Sequence, residues 1–501
     1  MFYVQKTKWV HQTGGFVRAG LWTKLCFFLL FIWPDIPAAC STAPPCANQG
    51  VPAGCTCISI IYTSDEHGWM EPGPSHGGAA GMKGLWNRIL RTQKNTLILS
   101  GGDNWTGPAV STWSRGESMV HVMNAMGYQA SAIGNHEFDF NTDVLMSNLA
   151  KAEFPYLSAN IVNASDGARP AFAQPYTVMS VGGVQVGIIG LTTPAAAYTT
   201  YPLYVRHYRF LPCDSVLFNI APEVRSAGAD VVIALGHVPS GEWRALMPAA
   251  GELGIAVCLS GHSHQEIIEK HGGVLIVEPG ANMACFSRVD MVVDTLHDRI
   301  ISADAEIIPN TGGRPDSVVA AVVNEWKSRM DKNLSRIIGY TGAVIPRDSD
   351  AMGNMVTDSW LAACPGAHVS MTNSGGIRQH IPEGTITMET IWGVLPFDNR
   401  IVQVDLNGSQ LAETSVGLLH GGMTTRGGFR LADGTAVHPD SQYQVLITDY
   451  LYYHIHYPFK TYDPEPELTD IHYRTPVIDW IESLHTSHEN PLNDYLDPHP
   501  R

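Results

Sequence analysis

Ala130-Ser131-Ala132-Ile133-Gly134-Asn135-His136-Glu137 runs from a short apolar stretch straight into a cluster of polar residues. The same plan recurs four times. Ile58 to Tyr62 leads into Asp65-Glu66-His67, and Leu97 to Leu99 into Gly101-Gly102-Asp103. Val231 to Leu235 leads into Gly236-His237, and Ile255 to Leu259 into Gly261-His262-Ser263-His264. Apolar runs of this length, rich in β-branched residues, predict buried strands of an α/β sheet with a polar cluster at each carboxyl end. Open α/β sheets bind ligands outside those ends, so five loaded ends can converge on one site. Mixed oxygen and nitrogen donors suit Zn, Mn or Fe better than Mg, which prefers oxygen. The pattern reads as a binuclear metallohydrolase.

The order D-x-H, GD, GNHE, GH, GHxH resembles that of the calcineurin-like metallophosphoesterases. Its continuation through Phe138-Asp139 resembles the 5′-nucleotidase branch. Asn373-Ser374-Gly375-Gly376-Ile377-Arg378 and Leu395-Pro396-Phe397-Asp398-Asn399 are similar to the NxGGIR and LPFxN motifs of the 5′-nucleotidase C-terminal domain. The two resemblances cover roughly residues 57–480. They imply a four-layer α-β-β-α sandwich followed by a smaller α/β domain.

The resemblance also implies site residues. Asp65, His67, Asp103 and His264 would hold one divalent ion, and Asp103, Asn135, His237 and His262 a second, with Asp103 bridging. Zn or Mn is the expected metal. Several family members carry Gln where this chain has His264. In an extended strand end, Asp65 and His67 would point to one side. Such a pair of ions clamps the phosphoryl oxygens and generates a hydroxide that attacks phosphorus. His136 and Asp139 match the family's catalytic His–Asp pair, with His136 outside the ligand set. Asn373, Gly375, Gly376 and Arg378 match substrate contacts, and Phe397 one ring of a clamp around the base. The family's second ring precedes a GGDG segment. Here Tyr450 arrives on cue, but His454 to Phe459 replaces the glycines. Arg347 lies near the place of a substrate arginine. Asn104 reads equally as a substrate contact or a turn cap, and Glu66 and Glu137 as supports for the ligands.

The implied function is release of phosphate from nucleoside 5′-monophosphates or related nucleotides. Alternatives are a 2′,3′-cyclic nucleotide phosphodiesterase, a UDP-sugar hydrolase, the related thiosulfohydrolase, or a surface nucleotide-binding protein without catalysis. The net charge of −16 over 501 residues argues against a nucleic-acid polymer as partner, because no basic stripe exists to neutralise its backbone. A small phosphate ester remains compatible, since bound metal supplies the local positive charge.

The N-terminus reads as a targeting segment over residues 1–39. Lys6, Lys8, Arg18 and Lys24 precede an apolar run, Leu25 to Trp33, too short to span a bilayer. Cys40 then resembles a lipidated lipoprotein cysteine, with ordinary cleaved secretion or an uncleaved anchor as the alternatives; all three readings place the protein outside the cytoplasm, at the periplasm or cell surface. A disulfide from Cys46 to Cys55 or Cys57 is permitted there. The later cysteines, Cys213, Cys258, Cys285 and Cys364, read as small hydrophobes. Further along, the expected organisation is a linker at 40–56, a metallophosphoesterase domain at 57–310 and a connecting segment at 311–336. The connecting helix carries an apolar series Val318, Val322, Trp326, Met330, Leu334. A second domain at 337–485 and a loosely ordered tail at 486–501 complete the chain.

Overall fold

The computed structural model describes residues 51–501. The targeting segment, Cys40 and Cys46 lie outside them. The chain begins its fold with β1 (Cys55–Thr63), two residues before the expected boundary, then β2 (Thr96–Ser100), β3 (Ala130–Ala132) and β4 (Tyr156–Leu157). A small antiparallel pair, β5 (Ile161–Asn163) and β8 (Tyr208–Phe210), brackets β6 (Tyr176–Val181) and β7 (Val184–Thr192). There follow β9 (Val231–His237), β10 (Val257–Leu259), β11 (Glu266–His271), β12 (Val274–Pro279), β13 (Cys285–Asp294) and β14 (Arg299–Pro309).

These strands form two six-stranded sheets, ordered β14-β13-β1-β2-β3-β4 and β11-β12-β10-β9-β7-β6. Strands β1 to β4 are mutually parallel, as are β7, β9, β10 and β12. The reason the apolar runs are continuous lies in β1. Ile58, Ile60 and Tyr62 face the other sheet, whereas Ile61 faces the helices behind. A strand buried on both faces has no polar side to alternate with. Each such side chain contributes about 1.5–3 kcal/mol of apolar burial. Helices Gly78–Thr92 and Glu117–Met126 cover the first sheet, and Cys213–Ser226 and Ser240–Glu252 the second. The architecture is the expected four-layer sandwich.

The helix Ser317–Leu334 also packs on the first sheet's helical layer, sharing Trp326, Met330 and Leu334 with the series read in the sequence but departing from it in the first two turns. Its buried stripe is Val319, Val323, Trp326, Met330 and Leu334, while Val318 is exposed. A strict spacing of four drifts by about 40° per step on a 3.6-residue helix, so a straight stripe mixes spacings of three and four.

The second domain has a two-stranded pair, β15 (Ile337–Thr341) with β17 (Gly384–Thr387), and a five-stranded sheet. That sheet contains β16 (Val369–Thr372), β18 (Arg400–Asn407), β19 (Leu419–Gly421), β22 (Gln442–Thr448) and β23 (Glu467–His472), in the order β19-β16-β22-β18-β23. A short hairpin, β20 (Met423–Thr424) with β21 (Arg430–Leu431), lies beside it. The expected loose tail is instead packed. Leu492 is fully buried, and the backbone carbonyls of Asp497 and His499 each accept from Asn354 Nδ2 at 2.9 Å. Arg501 forms a two-pronged ion pair with Asp358. A single buried Leu and a few polar anchors hold what composition alone reads as loose.

Cys57 is disulfide-bonded and Cys55 is free. Cys213, Cys258 and Cys285 are free and buried, and Cys364 is free and partly exposed.

Candidate active site

The two sheets, stacked face to face, are tied together at their carboxyl ends by hydrogen bonds that cross between them. Tyr62 donates its hydroxyl to the Ser260 carbonyl at 2.6 Å, and Thr192 Oγ1 donates to the Ile133 carbonyl at 2.6 Å. His237 Nδ1 lies 3.0 Å from the Gly101 carbonyl, and the His262 amide donates to Asp65. These bonds set the polar loops of β1, β2 and β3 against those of β9 and β10.

The loops themselves are strained. Asp65, His67, Asp103, His262 and His264 all have positive φ, between 45° and 78°. L-residues with side chains rarely adopt this region, and strain of about 1–3 kcal/mol per residue persists only where surroundings over-determine it. Asp65 and His67 therefore converge through a left-handed turn, correcting the extended geometry expected of them. Close packing explains a motif glycine as well: a Cβ on Gly134 would stand 2.1 Å from Asp103 Oδ1.

Two donor clusters result. His264 Nε2 lies 3.1 Å from His67 Nε2 and 3.3 Å from Asp65 Oδ1. His237 Nε2 lies 3.0 Å from Asp103 Oδ2 and 3.1 Å from His262 Nδ1. Within each cluster, every donor atom is within 4.8 Å of the others. His136 comes equally near His67 and Asp103, so proximity alone does not separate it from the ligands. What separates it is its partner: Nδ1 lies 2.6 Å from Asp139 Oδ2, and Nε2 stands off Asp103 Oδ2 at 4.0 Å.

The donors fit divalent cations on four counts. His67 Nδ1 faces the Thr106 carbonyl at 2.9 Å and His237 Nδ1 the Gly101 carbonyl, which turns each Nε2 lone pair inward. Paired ring nitrogens 3.1 Å apart aim their donor atoms at a common point, as ligands of one cation do. Asn135 Oδ1 is buried without a hydrogen-bond partner. The electrostatics also ask for positive charge. Burial lowers the His237 pKa, but the Asp103 and Asp65 carboxylates outweigh it and hold the ring up at about 10. His262, by contrast, is pushed down to about 4 by burial and by His237, so it presents a neutral ring. Burial, then Arg378, lowers His67 as well. Burial would also lower His136, but Asp139 and Asp103 raise it overall.

Buried carboxylates support the loops. Glu137 accepts from the backbone amides of Asp103, Asn104 and Gly134. Burial and the Asp103 charge push its pKa up to about 8. Glu66 accepts from Thr63, Ser100 and Asn104. Asn104, fully buried, spends both ends of its amide on Glu66, Ser100 and Ser131. It is neither a substrate contact nor a turn cap. Glu278, at the end of β12, accepts from the Ser263 and Gln265 amides and from the hydroxyls of Ser260 and Ser263. Sequence reasoning missed it. The signal was an acidic residue ending the apolar run Val274 to Val277.

A cleft of about 420 Å³ opens over the clusters, within the usual range for small-molecule sites. Asp103, Asn135, His136, Asp139, His262 and His264 form its floor. Its other wall is Arg347, Asn373, Gly375, Gly376, Arg378, Phe397 and Tyr450. Arg378 Nη2 lies 3.5 Å from His67 Nε2. Phe397 stacks near His136, with ring centroids 5.8 Å apart and planes 22° apart. Of the expected metal ligands, Asp65, His67 and His237 lie buried in the donor clusters beneath the cleft rather than in its lining. The loop Thr199 to Tyr204 adds Thr199, Thr200, Tyr201 and Tyr204 to the lining without any motif to announce it. The His454–Phe459 segment turns away toward that loop. His454 and His456 pack edge-on against Tyr198, and the Tyr450 hydroxyl donates to the Tyr198 carbonyl at 3.1 Å.

Residues 58–266 match the model of the calcineurin-like phosphoesterases, and residues 337–414 that of the 5′-nucleotidase C-terminal domain. The chain belongs to the 5′-nucleotidase family of metallophosphoesterases. Human 5′-nucleotidase is 29% identical over 415 residues, covering 72% of this chain and 71% of that protein. A cell wall protein of Listeria monocytogenes, Lmo0130, is 27% identical, covering 79% of this chain and 63% of that protein. The chain spans only 33% of the length of another relative, endonuclease YhcR of Bacillus subtilis, at 25% identity. Among solved structures, a 5′-nucleotidase precursor from Thermus thermophilus superposes with a TM-score of 0.75 at 22% identity, covering 86% of this chain and 97% of that one. That likeness supports the fold. The family implies divalent metal, and the His and Asp clusters described above are suited to it.

Proposed function

We propose that this protein is an exported, two-metal phosphohydrolase that releases phosphate from nucleoside 5′-monophosphates or related nucleotides. The observation that carries the reading is one cleft with two unlike walls. The floor offers buried His and Asp donors, and the facing wall offers Arg378, Asn373 and two aromatic rings. A phosphate ester has the same two-part chemistry: a charged group to be neutralised and a leaving group to be held.

Asp65, His67, Asp103 and His264 would hold one cation, and Asp103, Asn135, His237 and His262 the other, with Zn or Mn suited to these donors. When bound, the pair supplies a deprotonated water as nucleophile and positive charge on the phosphoryl oxygens. His136, whose pKa the Asp139 and Asp103 carboxylates raise, would donate a hydrogen bond as charge builds on phosphorus. Arg378, at the edge of the His67 cluster, would pair with the phosphate. Asn373 and the open backbone of Gly375 and Gly376 would border the sugar. Phe397 and Tyr450 would stack the base.

Location outside the cytoplasm is supported by three observations: the N-terminal targeting pattern, the disulfide at Cys57, and a relative named as a cell wall protein. Membrane association would come through a lipid on Cys40; no helix among the described residues is long and apolar enough to cross a membrane.

Incubation of the purified protein with Mn and a panel of esters tests the substrate reading. The panel comprises nucleoside 5′-monophosphates, 2′,3′-cyclic nucleotides, UDP-sugars and p-nitrophenyl phosphate. The expected result is the highest kcat/KM on a 5′-monophosphate. A preference for any other member would replace that substrate, and absence of turnover on all would point to a binding protein.

A further inference from the structure

We propose that Tyr473 and Arg474 are positioning residues for the leaving-group site, gripping the backbone of Phe397 from both sides. The inference rests on the reading of Phe397 as a base-stacking ring and adds what holds that ring in place. The Phe397 amide donates to Tyr473 Oη at 2.9 Å, and Arg474 Nη2 donates to the Phe397 carbonyl at 2.5 Å. Two consecutive side chains, from the junction between β23 and the helix Thr475–Ser483, therefore bind both peptide groups flanking one Cα. With both fixed, the backbone rotations at Phe397 that would carry its Cα–Cβ bond away from His136 are restrained.

The grip is itself braced. Tyr473 and Arg474 are 1% and 2% exposed, and the Tyr473 carbonyl accepts from the Trp360 indole at 2.8 Å. The Arg474 guanidinium lies 3.8 Å from the centroid of the Trp392 ring. Trp392 in turn meets Trp113, from the metallophosphoesterase domain, with centroids 4.9 Å apart. The stack thus runs from the catalytic domain through Trp113, Trp392 and Arg474 to the Phe397 carbonyl.

The charge balance argues that Arg474 is more than filler. Its Nε and Nη1 are buried without hydrogen-bond partners, and its nearest carboxylate, Asp398, stands at 3.7 Å and also faces His472 and Arg115. A buried guanidinium so poorly satisfied is costly, and an apolar side chain of similar volume would pack the same space more cheaply. Retaining the cation makes sense if its bond to the Phe397 carbonyl and its stacking on Trp392 hold a functional ring.

The test compares Tyr473→Phe and Arg474→Met, each alone and combined with Phe397→Ala, in the full chain loaded with Mn. KM and kcat are measured for adenosine 5′-monophosphate and for p-nitrophenyl phosphate, with thermal unfolding as a check on folding. Tyr473→Phe keeps the ring and loses one hydrogen bond, so it should raise KM for the nucleotide about fivefold and for the phenyl ester less than about twofold. Arg474→Met should do more in the same direction. In the Phe397→Ala background, both substitutions should lose their effect on the ratio of the two KM values. Equal effects on the two esters, or an undiminished effect in that background, would overturn the proposal and make the pair structural. If the unsubstituted protein shows no lower KM for the nucleotide than for the phenyl ester, the base-stacking reading fails first, and this assignment with it.

Discussion

The two walls of the cleft are built differently. On the metal-donor side, function sits on strained backbone. Five donor residues have positive φ, and buried carboxylates brace their loops, Glu137 around Asp103 and Glu278 around His262 and His264, each collecting three or more hydrogen bonds. On the opposite wall the contacts facing the cleft are fewer: one ring near His136, one arginine at the edge of a histidine cluster, and a tyrosine anchored across the cleft to Tyr198. The contrast follows from the chemistry. Stabilising charge on phosphorus needs groups fixed before the reaction begins, because reorganisation would consume the gain. Holding a leaving group needs shape and stacking, which tolerate substitution.

The largest effect should come from the bridge. Asp103→Ala removes a carboxylate facing both donor clusters, and activity should fall by more than the ~10²–10³-fold expected for a single lost transition-state donor. His264→Ala, at the more exposed edge, should be milder. Near-normal turnover in a metal-replete Asp103 variant would collapse the distinction between the walls.

Next in size is His136→Ala. Turnover should slow by roughly 10²–10³ while elemental analysis finds the full metal content. Loss of metal would place His136 among the ligands.

Glu278→Gln sharpens the claim that the metal side depends on its supports. The amide can keep its oxygen on the Ser263 and Gln265 amides, but it removes the buried charge and turns a donor toward the Ser260 and Ser263 hydroxyls, and metal affinity should weaken about 10–100-fold. A titration showing unchanged affinity would mean the Gly261–His264 loop holds itself.

The smallest effects belong to the rings. Phe397→Ala or Tyr450→Ala should cost about 1–3 kcal/mol in nucleotide binding, and less on p-nitrophenyl phosphate. Equal losses on the two substrates would show the rings to be structural and would point to an ester that is not a nucleotide.

The catalytic wall was legible because its residues are local. Each motif is a few consecutive residues after a strand, and the order of five such clusters survives any detail of packing. The sequence likewise determined the continuous apolar strands, the sandwich they imply and the second domain with its NxGGIR and LPFxN loops. Tertiary structure alone decided the rest. Glu278, Arg474 and the Thr199–Tyr204 loop act through contacts between residues far apart in the chain, which no spacing encodes. Asn104 looked free beside Asp103, yet Glu66, Ser100 and Ser131 had already taken its amide. The connecting helix was read correctly at Trp326, Met330 and Leu334 but not in its first turns, because a fixed spacing of four drifts off a straight buried stripe. The tail read as loose because its order rests on one buried Leu and on polar anchors from distant segments, Asn354 and Asp358 of one helix and the amides of Tyr340 and Gly342. Periodicity and motif report what a segment can do locally; which partner meets it is settled only when the layers close.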